Sequence, residues 1–280
     1  VTNGVNVFWA NSAVGEANVM KADVCGGLNS NVSVLGTTSQ IATARLAFDD
    51  TDVFWSNGGT ISKCAIGGCV APMVLATGQS TAANLDLTLS GANVFWGSSG
   101  IAEVGVGGGA VTHLLSSATV YAIVADGSNV FWVGIYGSVT GVWSCPIAGC
   151  PSPTSLVAIG TAAMPYSGEI GSMTQDSANV YWTEVEGNVL SCPKTGCATP
   201  TTLVSGLTAS PNRITTDGVN VYWANVGKGT TKGSIMRCSV GGSGLKTLAS
   251  GLFEPSGVAV DATSVYWSTW IDSNIWKLAK

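Results

Sequence analysis

Asn6-Val-Phe-Trp9, Asp52-Val-Phe-Trp55, Asn93-Val-Phe-Trp96, Asn129-Val-Phe-Trp132, Asn179-Val-Tyr-Trp182, Asn220-Val-Tyr-Trp223 and Ser264-Val-Tyr-Trp267 align without a gap. Their tryptophans are 46, 41, 36, 50, 41 and 44 residues apart. Periods of this size mark a stacked or radial repeat. Six residues before each Trp stands Asn3, Asp49, Ser90, Asp126, Asp176, Asp217 or Asp261. An Asp or Asn there can accept hydrogen bonds from the backbone two residues on and close a tight turn between strands.

Outward from this string, each unit reads as four short strands. The first is apolar, as in Gly257 to Val260, and the second carries the aromatic pair. The third follows a loop, as in Gly187 to Cys192, and the fourth resembles Thr201 to Val204 or Leu245 to Ala249. No segment sustains a helical period. Four strands per 40-odd residues predicts an all-β, seven-bladed β-propeller of four-stranded antiparallel blades, one domain over residues 1–280. A six-bladed ring is the alternative count, because both end units are incomplete. A β-solenoid is the rival architecture, although its repeats are usually shorter.

The bulk numbers agree with an all-β chain. The 280 residues include 37 glycines, and only 10% are charged. Eleven Lys and Arg against 16 Asp and Glu argue against a nucleic-acid partner, because phosphate binding wants clustered cations. No apolar run approaches 18 residues, so no transmembrane helix is expected. The chain begins at Val1, as a processed mature protein or an expressed fragment would.

The string Thr247 to Asp261 followed by Val265-Tyr-Trp267 resembles the YWTD repeat of LDL-receptor-type propellers and related repeats of secreted bacterial proteins. The resemblance covers essentially the whole chain and implies a fold rather than an activity. The chain departs from that pattern in its blade count, since YWTD domains have six. It also lacks the final Asp: Ala10-Asn11, Ser56-Asn57 and Thr183-Glu184 follow the Trp instead.

Six of the eight cysteines form three Cys-x4-Cys pairs: Cys64 and Cys69, Cys145 and Cys150, Cys192 and Cys197. Each brackets a Gly- or Pro-containing turn, where cysteines facing across a hairpin meet disulfide distances. Zinc would need four convergent ligands, and the pairs lie in different units. Three disulfides predict an oxidising compartment: a secreted, extracellular or cell-surface protein, or a periplasmic one. Cys25 and Cys238 remain, free or available for self-association through an intermolecular bond.

Catalytic apparatus is sparse. The single His113 reads as a surface residue, no nucleophile elbow is present, and Gly105 to Gly109 is a turn without the Lys of a P-loop. The recurrent Asp residues and motif tryptophans read as scaffold. Four residues before the turn position, however, the units carry Arg45, Asp86, Ala122, Ser172, Arg213 and Gly257. Arg45 and Asp86 are expected to pair between adjacent blades. Alternatively, Arg45 and Arg213 hold an anionic or polar ligand, since guanidinium groups offer bidentate bonds.

Loops joining strand four to the next strand one, and strand two to strand three, should share one end of each blade. They carry Tyr121, Tyr166, Glu169, Asn212 and Glu254, and Tyr136, Glu184, Glu186, Trp270 and Asp272. The unit from Trp132 to Trp182 is the longest and adds Met164 to Glu169. Irregular loops on a regular scaffold are where binding concentrates. The candidate ligand-binding residues are therefore Arg45, Asp86, Arg213, Tyr121, Tyr136, Tyr166, Glu169, Glu184, Glu254 and Trp270. No cofactor is expected, with a Ca²⁺ site at Glu169, Glu184 and Glu186 as the alternative. The leading reading is a non-enzymatic extracellular module binding a protein or glycan. The alternatives are a lectin with per-blade sugar sites, a structural surface or filament protein, and a metal-dependent hydrolase or lyase.

Overall fold

The computed structural model describes residues 1–13, 16–24, 31–38, 45–57, 59–79, 85–161, 170–227, 232–271 and 273–280. Among them every regular element is a β-strand, and no helix crosses or could cross a membrane. Seven antiparallel sheets follow one another, their strands paired in chain order. The fold is a seven-bladed β-propeller. Blades 2 to 6 have four strands, while blades 1 and 7 have three. Blade 1 begins with its aromatic strand, Asn6–Ala13, and its first strand is reduced to a bridge between Thr2 and Val7. Blade 7 consists, among the described residues, of Pro255–Val260, Ser264–Thr269 and Ile275–Ala279. The chain forms two compact units: Val1–Val130 with Cys145–Ser152, and Phe131–Ser144 with Pro153–Lys280.

The aromatic pair explains how blades stack. Successive residues of a strand point to opposite faces, so Phe or Tyr and the following Trp face opposite ways. In the first unit Phe8 packs in one cluster with Trp55, and Phe54 with Trp96. In the second unit Tyr181 packs with Trp223, and Tyr222 with Trp267. Each of these four cores is thus nucleated by one blade's Phe or Tyr meeting the next blade's Trp. Burying one such side chain removes roughly 200 Å² from water, about 5 kcal/mol before entropy is counted.

The turn series behaves as its chemistry demands. Asp49 Oδ1 accepts from the N–H of Thr51 and Asp52 at 2.8 and 2.7 Å. Asp126, Asp176, Asp217, Asp261 and Asn3 cap the same two N–H groups of their own turns. Ser90 is too short to do so. Its hydroxyl donates instead to the Asp126 carbonyl at 2.5 Å, tying blade 3 to the next first strand. Where the aromatic is Tyr, its hydroxyl donates to the second carboxylate oxygen: Tyr181 to Asp176, Tyr222 to Asp217 and Tyr266 to Asp261.

All three expected disulfides are present, with Cα separations of 5.4 to 5.8 Å. Cys238 takes the free alternative and not the intermolecular one. It is buried without a disulfide partner, in the core with Tyr181 and Trp223, and burial pushes its thiol up to about 11. A thiol that neither meets solvent nor ionises near neutral pH does not bridge to another chain. Cys238 faces Val221 as Cys64 faces Val53 and Cys192 faces Val180. It therefore occupies the first position of the Cys-x4-Cys turn, with Ser243 at the second. Ser239 and Ser243 close that turn with hydrogen bonds of 2.8 to 3.0 Å. Cys25 lies outside the described residues.

Candidate functional site

The two loop sets do share one end of a blade, because backbone bonds join them. Gln79 N–H donates to the Gly59 carbonyl in blade 2, and Leu207 N–H to Gly187 in blade 5. In blade 7 the Trp270 N–H donates to the Glu254 carbonyl at 3.0 Å, joining the loop after strand two to the loop that enters strand one. Here the loops carry large apolar side chains. Trp270 is 62% exposed, Ile271 59% and Phe253 46%. The Lys232 ammonium lies over the Phe253 ring, a cation–π contact that leaves the aromatic edge to solvent. Glu254 has φ +46° and Ser273 φ +53°. Left-handed backbone at residues with a Cβ is strained and concentrates at functional loops. Trp270 and Glu254 were legible in the sequence; Phe253 and Ile271 were not, although they flank the motif residues directly.

The other candidates fall elsewhere. Arg45, just before the first strand of blade 2, and Asp86, at the start of the first strand of blade 3, approach to 3.4 Å between Nε and Oδ1. Asp86 Oδ2 also accepts from the Ile123 N–H at 2.9 Å. Burial pushes the Asp86 carboxyl above the usual carboxylate range, against the charge of Arg45 and the N–H groups of Ile123 and Leu87. Arg45 Nε and Nη1 are buried without a hydrogen-bond acceptor. Arg213 is half-buried on the first strand of blade 6. Tyr121 is exposed on the first strand of blade 4. Tyr136 packs edge-on against Trp143 with ring centroids 5.4 Å apart. Glu184 is buried, and its carboxylate accepts from the Asn188 amide at 2.9 Å. Tyr166, Glu169 and Asp272 lie outside the described residues.

Among the described residues no three His, Cys, Asp or Glu side chains converge as a metal site would require. His113 is exposed on the fourth strand of blade 3, as expected of a surface histidine.

No family model matches the sequence, and no curated protein matches it. Solved structures do. A chain of a mitotic checkpoint complex is 15% identical with a TM-score of 0.71, covering all of this chain and 87% of that one. A chain of a nidogen/laminin complex is 17% identical at a TM-score of 0.63, covering 88% and 92%. A TolB-like protein from Agrobacterium tumefaciens, described as putative, is 16% identical at 0.59, covering 80% and 86%. At such identities the likeness is one of fold, and it identifies the chain as a β-propeller.

Proposed function

We propose that this chain is a non-enzymatic, extracellular protein-binding module whose contact surface is the loop end of blade 7. The observation that carries the reading is the exposure of Phe253, Trp270 and Ile271 on two loops joined by the Trp270-to-Glu254 backbone bond. Exposed aromatics beside charged neighbours are the composition of interface hot spots. Lys232 and Glu254 supply that charged rim. The three disulfides support an oxidising compartment. Two of the similar folds are found in protein complexes, which supports a protein partner. The YWTD-like character of the repeat points the same way, and a glycan ligand stacked on Trp270 is the finer alternative.

The test is binding to arrays of extracellular proteins and glycans by the wild type and by Trp270→Ala and Phe253→Ser. Loss of about tenfold or more in affinity for a protein hit is expected of a hot-spot aromatic. Unchanged binding of every hit by both variants refutes the site. A second reading rests on Arg45, whose Nη1 is buried without a hydrogen-bond acceptor while Nε faces Asp86 at 3.4 Å, an arrangement that would suit an added anionic group. Thermal stabilisation by small dicarboxylates, abolished in Arg45→Met, would support it.

A further inference from the structure

The outer strand of blade 1 carries an inference independent of the blade 7 loops. The outer strands of blades 1 to 6 align on one leucine: Leu35, Leu75, Leu114, Leu156, Leu203 and Leu248. In each pairing with the third strand the register shifts at that leucine, which forms a bulge. Ser62 pairs with Val74 but Ile61 with Ala76, for example, around Leu75. A bulge adds one residue at a fixed place, so it gives the blades a common register. The alignment reaches back into the corner before each strand. Three residues before the leucine, blades 2, 4 and 5 have Pro72, Pro153 and Pro200, whereas blade 1 has Val32. Four residues before it, blade 6 has Gly244 and blade 1 has Asn31. Both are left-handed, with φ +67° and +58°. Asn tolerates that backbone better than most residues with a Cβ.

This departure creates Asn31-Val32-Ser33, an Asn-x-Ser triplet without the proline that would spoil it. No other asparagine of the chain is followed two residues on by Ser or Thr. The triplet is the acceptor signal for N-glycosylation, which needs an exposed corner in an exported chain. Asn31, Val32 and Ser33 are all exposed. Asn31 Nδ2 donates to Asp23 Oδ2 at 2.7 Å, an exposed contact that keeps the amide at the surface. The surroundings are apolar. Val32, Val34, Met73 and Val74 are each about half-exposed, and Val70 is fully exposed. Blades 3 to 6 carry Thr112-His113, Thr154-Ser155, Thr201-Thr202 and Lys246-Thr247 before the leucine, where blade 2 carries Met73-Val74. Blades 1 and 2 touch here: a Cβ on Gly36 would stand 3.1 Å from Pro72 Cγ, and Cys64 Sγ lies 3.2 Å from the Leu35 carbonyl. Residues 31–36 and 69–76 include no charge. An uncharged apolar rim is an association liability, and a bulky polar glycan beside it would shield it.

We propose that Asn31 is an N-glycan acceptor. The co-substrate is an oligosaccharide linked through diphosphate to a polyisoprenol. Asn31 Nδ2 attacks the anomeric carbon of its first sugar. A carbon–nitrogen bond forms, the bond from that carbon to the diphosphate oxygen breaks, and the polyisoprenyl diphosphate leaves with the electron pair. One amide proton passes to a base of the transferase. Ser33 supplies the hydroxyl that completes the acceptor signal. The inference rests on the export that the three disulfides support.

The test is secretion of the whole chain from a host that makes this donor, followed by intact mass and peptide mapping. The peptide containing Asn31 should carry a glycan, and an amide-cleaving glycosidase should remove it and leave Asp at that position. Asn31→Gln and Ser33→Ala should each abolish the modification. Ser33→Thr should keep it, which separates the acceptor signal from any effect on folding. Melting temperature and thiol counting establish that each variant is folded and has its three disulfides. A secreted, disulfide-bonded chain with unmodified Asn31 overturns the proposal and leaves the reading of an exported protein standing. A chain retained in the cell with its cysteines reduced overturns both. A glycan that persists in Asn31→Gln or in Ser33→Ala overturns the assignment to this triplet.

Discussion

Asp176→Ala tests how the repeat is locked. Asp176 does two jobs: Oδ1 caps the N–H groups of Ala178 and Asn179, both at 2.8 Å, and Oδ2 receives the Tyr181 hydroxyl at 2.5 Å. The capped turn is half-exposed, so losing the caps should cost about 1 kcal/mol, like a lost helix cap. Tyr181 is fully buried, and its orphaned hydroxyl should cost a further 2 kcal/mol or so. Asp176→Ala is therefore expected to lose about 3 kcal/mol and Tyr181→Phe about 1 kcal/mol. The double variant should lose well under their sum, since no hydroxyl is left unpaired, giving a coupling of about 2 kcal/mol. Urea denaturation of the four proteins measures it.

The coupling has a predictable pH window. Burial alone would raise the Asp176 carboxyl, but Tyr181, the two N–H groups and Lys194 outweigh it and hold the group below the usual carboxylate range. Its stabilisation is present above the unfolded pKa near 4 and is lost as pH falls through the lower folded value. Burial and Asp176 push the Tyr181 phenol far up, so its share fades only above about pH 10. A coupling below about 0.3 kcal/mol at pH 7 refutes the two-job account.

Removing one bridge, as Cys192→Ala with Cys197→Ala, should cost about 2 kcal/mol by loop-closure entropy, a fall in Tm of about 5 °C by calorimetry. Conversely, Ser243→Cys should oxidise with Cys238 and raise Tm by a similar amount, seen as a 2 Da mass loss with no free thiol in a Cys25→Ser background; a thiol that stays titratable would refute the turn equivalence. In the same Cys25→Ser background without the new cysteine, Cys238 should resist alkylation at pH 8 until the protein is unfolded, and stoichiometric labelling of the folded chain would contradict its burial.

The seven blades were legible because each repeats a chemistry that cannot be satisfied any other way. A Phe-Trp or Tyr-Trp pair needs an apolar neighbour on both faces, and an Asp six residues earlier needs N–H groups to cap. Cys64, Cys145 and Cys192 were legible because the distance to the next cysteine is fixed by a short turn. The bulged leucines were not read, though Leu35, Leu75, Leu114, Leu156, Leu203 and Leu248 are plain in the sequence. A strand pattern of period two hides a bulge, since the extra residue looks like a broken alternation. Cys238 was left between a free thiol and an intermolecular bond for a related reason: its partner position holds Ser243, and the match appears only once strand register is known. Glu184 looked like an accessible acid from its place after the motif Trp, whereas Asn188 four residues on draws it into the turn.

The loop aromatics of blade 7 can be perturbed one at a time. Trp270 is tied to Glu254 by a 3.0 Å backbone bond, and Phe253 lies under the Lys232 ammonium. Trp270→Ala removes an exposed ring and leaves the backbone bond in place, so it should weaken a loop ligand by about tenfold or more without moving Tm. Lys232→Met removes the cation over Phe253 and keeps every loop aromatic. It should weaken the same ligand by several-fold, the effect of about 1 kcal/mol for one exposed cation–π contact. Were Tm to fall in either variant while affinity held, these side chains would serve the fold of blade 7 rather than a partner.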